Sequence, residues 1–117
     1  KNLEFIAFEK DIPTRKATDE ILRSADVQIS IVMEFDNVET VKRALEINAG
    51  VAIIPKNTVS NEAERKQLVT CRLDNGQHIR PLSLIHKKSR MLTPALRSFI
   101  EKMKLPPEDS KVNALLG

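Results

Sequence analysis

The sequence predicts an α/β fold with a mostly parallel mixed sheet flanked by helices. Two observations carry this: short β-forming apolar runs alternate with amphipathic helical stretches, and the joins between them are tight. Leu3-Glu4-Phe5-Ile6-Ala7-Phe8 reads as a strand that ends at Glu9-Lys10-Asp11. Pro13-Thr14 opens a helix, with Ala17, Ile21, Leu22 and Ala25 at three- and four-residue spacing. Val27, Ile29, Ile31, Met33 and Phe35 then alternate with Gln28, Ser30, Val32 and Glu34, a strand with one apolar face. Asp36-Asn37-Val38-Glu39 fits a capping box in which Asp36 accepts from the backbone and Glu39 reaches back. Val38, Val41, Ala44 and Leu45 mark the helix that follows, with Gly50 expected as its left-handed cap. Val51-Ala52-Ile53-Ile54 is a short buried strand stopped by Pro55.

The second half changes character. A single helical turn is expected near 61–66, then a strand over 68–73. Asp74-Asn75-Gly76-Gln77 is a hairpin signal, because Asn-Gly suits a turn with two positive-φ positions. The strand returns over 79–88. Thr93-Pro94 supplies an N-cap with proline at the first helical position, and Leu96, Phe99, Ile100 and Met103 give that helix one apolar stripe.

Composition narrows the function. The 117 residues contain four Phe and neither Trp nor Tyr, which argues against stacked-ring nucleic-acid platforms and aromatic-lined grooves. The single Cys71 cannot form an internal disulfide. No apolar run approaches the roughly 20 residues that span a bilayer. The net charge of +3 hides an asymmetry: residues 1–55 carry seven Lys/Arg against ten Asp/Glu, and residues 56–117 carry twelve against six. Most of the basic excess lies between Arg80 and Lys104, where it alternates with core-type residues and reads as a solvated face. The chain starts at Lys1, directly before a strand, as a piece of a longer protein would.

Familiar catalytic patterns are missing. Three glycines (Gly50, Gly76, Gly117) make no phosphate loop, and no serine sits in a nucleophile elbow. Cys71, His78 and His86 are the soft ligands available to zinc, but Val69, Cys71 and Leu73 share one strand face, so the thiol reads as buried and inert. No metal, cofactor or catalytic residue is expected. Position is what remains. Ligands of open α/β sheets bind outside the carboxyl ends of the strands, beside helix N-termini. Three such edges occur: Phe8-Glu9 into Thr14-Arg15, Glu34-Phe35-Asp36-Asn37, and Pro55-Lys56-Asn57. Backbone N–H groups there favour a small anion, Arg15 offers a forked donor, and Phe8 with Phe35 forms an apolar wall or packs in the core.

Taken in order, several of these segments resemble the effector-binding domain of LysR-type transcriptional regulators. They are Phe5-Ile6-Ala7-Phe8 with Pro13-Thr14-Arg15, Met33 through Lys42, Gly50 through Pro55, and Leu82 through Lys88 with the helix bearing Leu96, Phe99 and Ile100. The likeness spans about residues 3–104, departing at Asn48-Ala49-Gly50 from the commoner Gly-x-Gly ending. It implies a periplasmic-binding-protein-like (type II) unit of two α/β subdomains around a cleft, here truncated. Residues 1–76 would form the second subdomain, 77–104 would return into a first subdomain whose opening half is absent, and 105–117 would be a tail. The implied function is sensing of a small, anionic metabolite, with DNA reached only through an absent winged helix-turn-helix. The implied effector contacts are Phe8, Glu9, Thr14, Arg15, Phe35, Asp36 and Asn37. A cytoplasmic protein, no membrane association, and homo-oligomers (dimers, tetramers when full length) also follow. The competing readings are a free-standing solute-binding module and a small enzyme using Glu9 with Glu34.

Overall fold

The computed structural model describes residues 2–55, 58–59, 61–73 and 82–103. The expected Asn75-Gly76 turn, His78, Lys56-Asn57 and the tail from 105 lie outside these residues. Among the described residues, five strands and four helices follow one another as β1 (Leu3–Phe8), α1 (Pro13–Ala25), β2 (Ile29–Phe35), α2 (Val38–Glu46), β3 (Ala52–Pro55), α3 (Glu62–Gln67), β4 (Leu68–Arg72), β5 (Leu82–Lys87) and α4 (Pro94–Met103).

β1 and β2 pair in parallel from Leu3↔Ile29 to Phe8↔Phe35. β5 pairs antiparallel with β3 on one side and with β4 on the other. The two ladders meet where Ile6 N donates to Val51 O at 2.8 Å and Val51 N donates to Glu4 O at 3.0 Å. The layer therefore runs β2-β1-β3-β5-β4, with β5 alone reversed, and the expected α/β class with a mostly parallel mixed sheet is what the structure shows.

Alternation along the strands loads both faces. Leu3, Phe5, Ala7, Val51, Ile53, Leu82 and Leu84 face Ile21, Leu22 and Ala25 of α1 and Leu96 and Phe99 of α4. Ile6, Phe8, Ala52, Ile54 and Ile85 face Val41, Ala44 and Leu45 of α2. Gly50 is required by close approach: a Cβ there would lie 2.9 Å from the Glu4 carbonyl oxygen, so no side chain fits where β3 joins β1.

Two expectations are corrected. The cap of α2 is Asn37, not Asp36: Asn37 Oδ1 accepts from Thr40 N at 2.9 Å, while Glu39 turns to Lys42 at 3.3 Å. Extended backbone at Asn37 (φ −146°, ψ 156°) puts its short side chain, one residue later than Asp36, over the first turn. Asn37→Ala is expected to cost about 1 kcal/mol of stability, and Asp36→Ala a small fraction of that, in parallel urea titrations. The left-handed residue after α2 is Asn48 (φ 60°) and not Gly50.

Residues 77–104 are the segment expected to return into a neighbouring subdomain. Within 82–103 they are integral to this layer, because β5 is paired on both edges and Leu84, Ile85, Leu96 and Phe99 are completely buried. Arg90 binds Glu4 at 3.0 Å and Asn48 Oδ1 at 2.8 Å, and Lys102 Nζ donates to Ala25 O at 3.4 Å, which ties this segment to β1, α2 and α1. Apolar surface is left open at Met91 and Leu92 of this segment and along β2. β2 is an edge strand whose Ile31, Val32 and Met33 are 40%, 43% and 37% exposed, with a register shift that sets Val32 out of the ladder.

Candidate functional site at the carboxyl ends of the strands

α1, which follows β1, and α2, which follows β2, lie on opposite faces of the sheet. From β1 the chain moves outward to β2; from β3 it moves the other way, to β4. The connections therefore diverge beyond the carboxyl ends of β1 and β3, and that divergence opens the crevice where α/β sheets bind ligands.

Each expected site residue has a definite place at this edge. Phe8 and Phe35 are register partners, but Phe8 is 7% exposed and packs in the cluster with Val41 and Leu45, with Phe35 half-buried against it. Both rings belong to the core more than to an open wall. Glu9 is exposed, and its amide donates to Phe35 O at 2.9 Å, which extends the β1–β2 ladder by one bond. Thr14 is half-buried in the first turn of α1. That turn receives no side-chain cap, because Ile12 occupies the N-cap position. Asp36 is exposed and accepts from Asn37 Nδ2 at 3.0 Å, so these two residues are held together at the start of α2.

Arg15 is the organising residue. It is 6% exposed, and it donates Nη1 to Phe8 O at 2.8 Å and to Glu34 Oε2 at 2.8 Å, and Nε to Asp19 Oδ1 at 3.0 Å. Burial works against its charge, but the bonds to Glu34 and Asp19 outweigh it, and the pKa rises above the ordinary arginine value. The forked donor expected to meet an anion is thus engaged internally, fastening α1 across the ends of β1 and β2. Glu34, the partner proposed for Glu9 in an acid–base pair, is held in the same ion pair.

A second clamp holds the end of β3, and sequence reasoning missed it. Lys42 of α2 is 6% exposed; its Nζ donates to Thr58 O at 2.8 Å and pairs with Glu64 at 2.6 Å and Glu39 at 3.3 Å. Thr58 Oγ1 in turn donates to Pro55 O at 2.8 Å. Burial opposes the lysine charge, and the carboxylates of Glu64 and Glu39 more than offset it, so the pKa is raised. The Glu39–Lys42 spacing was visible as an i,i+3 pair; Glu64, twenty-two positions beyond Lys42, carried no local signal.

The free charges at the edge are mainly acidic. Glu9, Asp11 and Asp36 are exposed, against Lys10. Among the described residues no group of three His, Cys, Asp or Glu side chains is placed to hold a metal ion, and no helix is long and apolar enough to cross a membrane.

Residues 1–104 match the model of the LysR substrate binding domain. A probable RuBisCO transcriptional regulator of Cyanophora paradoxa is 29% identical over 104 residues, covering 86% of this chain and 32% of that protein. Its counterpart in Synechocystis is 27% identical over 116 residues, 97% of this chain and 33% of the relative. An Arthrobacter regulator named SoxR is 30% identical over 112 residues, 95% and 38%. A solved effector-binding domain of QuiR in complex with shikimate gives a TM-score of 0.48 at 17% identity, covering 85% of this chain and 46% of that one. The chain thus spans about a third of the length of these curated relatives. A family match over nearly the whole described layer settles the lineage: this chain belongs to the LysR substrate-binding domain family.

Proposed function

We propose that this chain is one subdomain of the effector-sensing unit of a cytoplasmic LysR-type transcriptional regulator. The rest of the unit and a winged helix-turn-helix would lie in other parts of the protein. The crevice beyond β1 and β3, at the point where the connections diverge, carries this reading. The effector is a small polar metabolite resting on Glu9, Thr14, Asp36 and Asn37, with Phe8, Phe35 and Arg15 setting the shape of the edge beneath it. Arg15 acts as a positioning residue, because its Nε and Nη1 donors are spent on Asp19, Phe8 and Glu34. An anionic group on the effector would meet the uncapped start of α1 at Thr14, or the facing subdomain. Glu9 and Asp36 suit its hydroxyl or ammonium groups.

Calorimetric titration of the full regulator with a panel of polar metabolites tests the site. Glu9→Ala and Asp36→Ala are expected to weaken binding at least tenfold with little change in melting temperature. A measured effector affinity that neither change alters would place the site elsewhere.

The protein is also proposed to form homo-oligomers, dimers and, at full length, tetramers. The exposed apolar residues of the edge strand β2 support this, a surface that covering by a second chain would remove from water. Met33→Lys with Val32→Lys should shift sedimentation of the chain toward monomer at tens of micromolar. A wild-type chain that is already monomeric there would overturn it.

A further inference from the structure

We propose a second ligand site, for a small amphipathic monoanion, in the cavity between α4 and the β4–β5 ribbon. This inference stands apart from the effector reading. The cavity lies toward Lys88, at the carboxyl end of the reversed strand β5, and so at the end of the sheet opposite the crevice described above.

The cavity exists because α4 covers the sheet unevenly. Leu96 and Phe99 close over Leu82 and Leu84, and the next column of side chains toward the edge strand β4 is left partly open. Its floor is formed by Val69 and His86, which are register partners, together with Cys71. Ile100 of α4 forms one wall and the 43%-exposed Leu92 forms the lip. The half-open hollow holds about 450 Å³, within the range that small-ligand sites occupy.

Two of the cationic side chains around this apolar floor, Lys88 and Arg97, are unspent among the described residues. His86 is only 4% exposed, and its Nδ1 lies 2.8 Å from Lys87 O, so that nitrogen carries the proton and Nε2 is left as the available ring atom. Lys88 and Arg97 also line the cavity, and the side chain of neither enters a hydrogen bond or ion pair among the described residues. Arg97 and Glu101 stand at i,i+4 on one helix, the spacing of a stable pair, yet no ion pair joins them in the described structure. Arg90, at the same rim, differs: its guanidinium is spent on Glu4 and Asn48.

Two unpaired cations above an apolar floor select the ligand class. A neutral hydrocarbon would leave Lys88 and Arg97 unused, and a bare inorganic anion would leave Val69, Ile100 and Leu92 uncovered. A carboxylate on a body of several carbons satisfies both, placing its charge between Arg97 and Lys88 and its chain along the floor.

Octanoate, titrated into the ¹³C-methyl-labelled chain and followed by NMR, tests the site. Saturable shifts are expected at the Val69, Leu92 and Ile100 methyls, with one equivalent bound. Lys88→Glu with Arg97→Glu is expected to weaken this binding at least tenfold, and Ile100→Trp, which fills the cavity, to abolish it while the remaining methyl spectrum stays folded. Failure to saturate below about 10 mM, or saturation unchanged in the double variant, overturns the proposal. So do shifts confined to Val38 near the strand-end crevice, which would assign octanoate to the other site.

Discussion

Phe99→Ala is expected to lower the unfolding free energy of this chain by about 3–5 kcal/mol. Phe99 is fully buried, and its ring fills the space between α4, α1 and the β3–β5 face of the sheet. Truncating it opens a cavity in the larger of the two core clusters, and the surrounding helices relax only partly. Because small domains unfold with only about 5–15 kcal/mol in total, the variant should show a urea midpoint reduced by a third or more. The measurement also decides where residues 82–103 belong. If β5 and α4 packed on a different body, Phe99→Ala would barely change the unfolding of the chain.

Arg15→Met is the second. Methionine keeps much of the apolar stem but leaves Phe8 O, Glu34 and Asp19 without their common donor. Glu34 and Asp19 are each 42% exposed at the side chain, so water recovers much of their loss. The Phe8 carbonyl lies in a buried bond and recovers little. The sum is about 2 kcal/mol, or roughly 6–10 °C in melting temperature for a chain of this size. Arg15→Lys should regain less than half, since an ammonium cannot bond Asp19, Glu34 and a carbonyl with one planar fork. A melting temperature unchanged in Arg15→Met would mean that the network does not fasten α1 to the strand ends.

Element existence was legible in the sequence wherever one period dominated. Alternation at Ile29–Phe35 and three–four spacing at Ala17–Ala25 are local patterns, and both elements stand where they were expected. What the pattern does not contain is a strand's neighbours. Ile31, Met33 and Phe35 alternate as a buried face does, yet β2 lies at the edge of the described sheet and two of the three are about two-fifths exposed. Leu82–Lys87 had the composition of a strand, and only its long-range pairing with Ala52–Pro55 shows that it is central. The candidate edge itself was legible, because a strand that ends before a helix start is a sequential feature. How Arg15 spends its donors was not, since Glu34 and Phe8 O reach it only after three elements have folded.

The position of β5 has a consequence for biosynthesis. Of the described strands, the one made last sits in the interior of the sheet, and the described structure pairs β4 with β5 alone. Until residue 87 has left the ribosome, β3 and β4 each present a bare edge, and the β1–β2–β3 layer has no α4 to cover it. Ribosome-associated intermediates that end between residues 73 and 82 should therefore be bound by chaperones and cut by proteases, and release should coincide with emergence of Phe99. Maturation of this layer is a single late insertion, timed by the length of chain already translated.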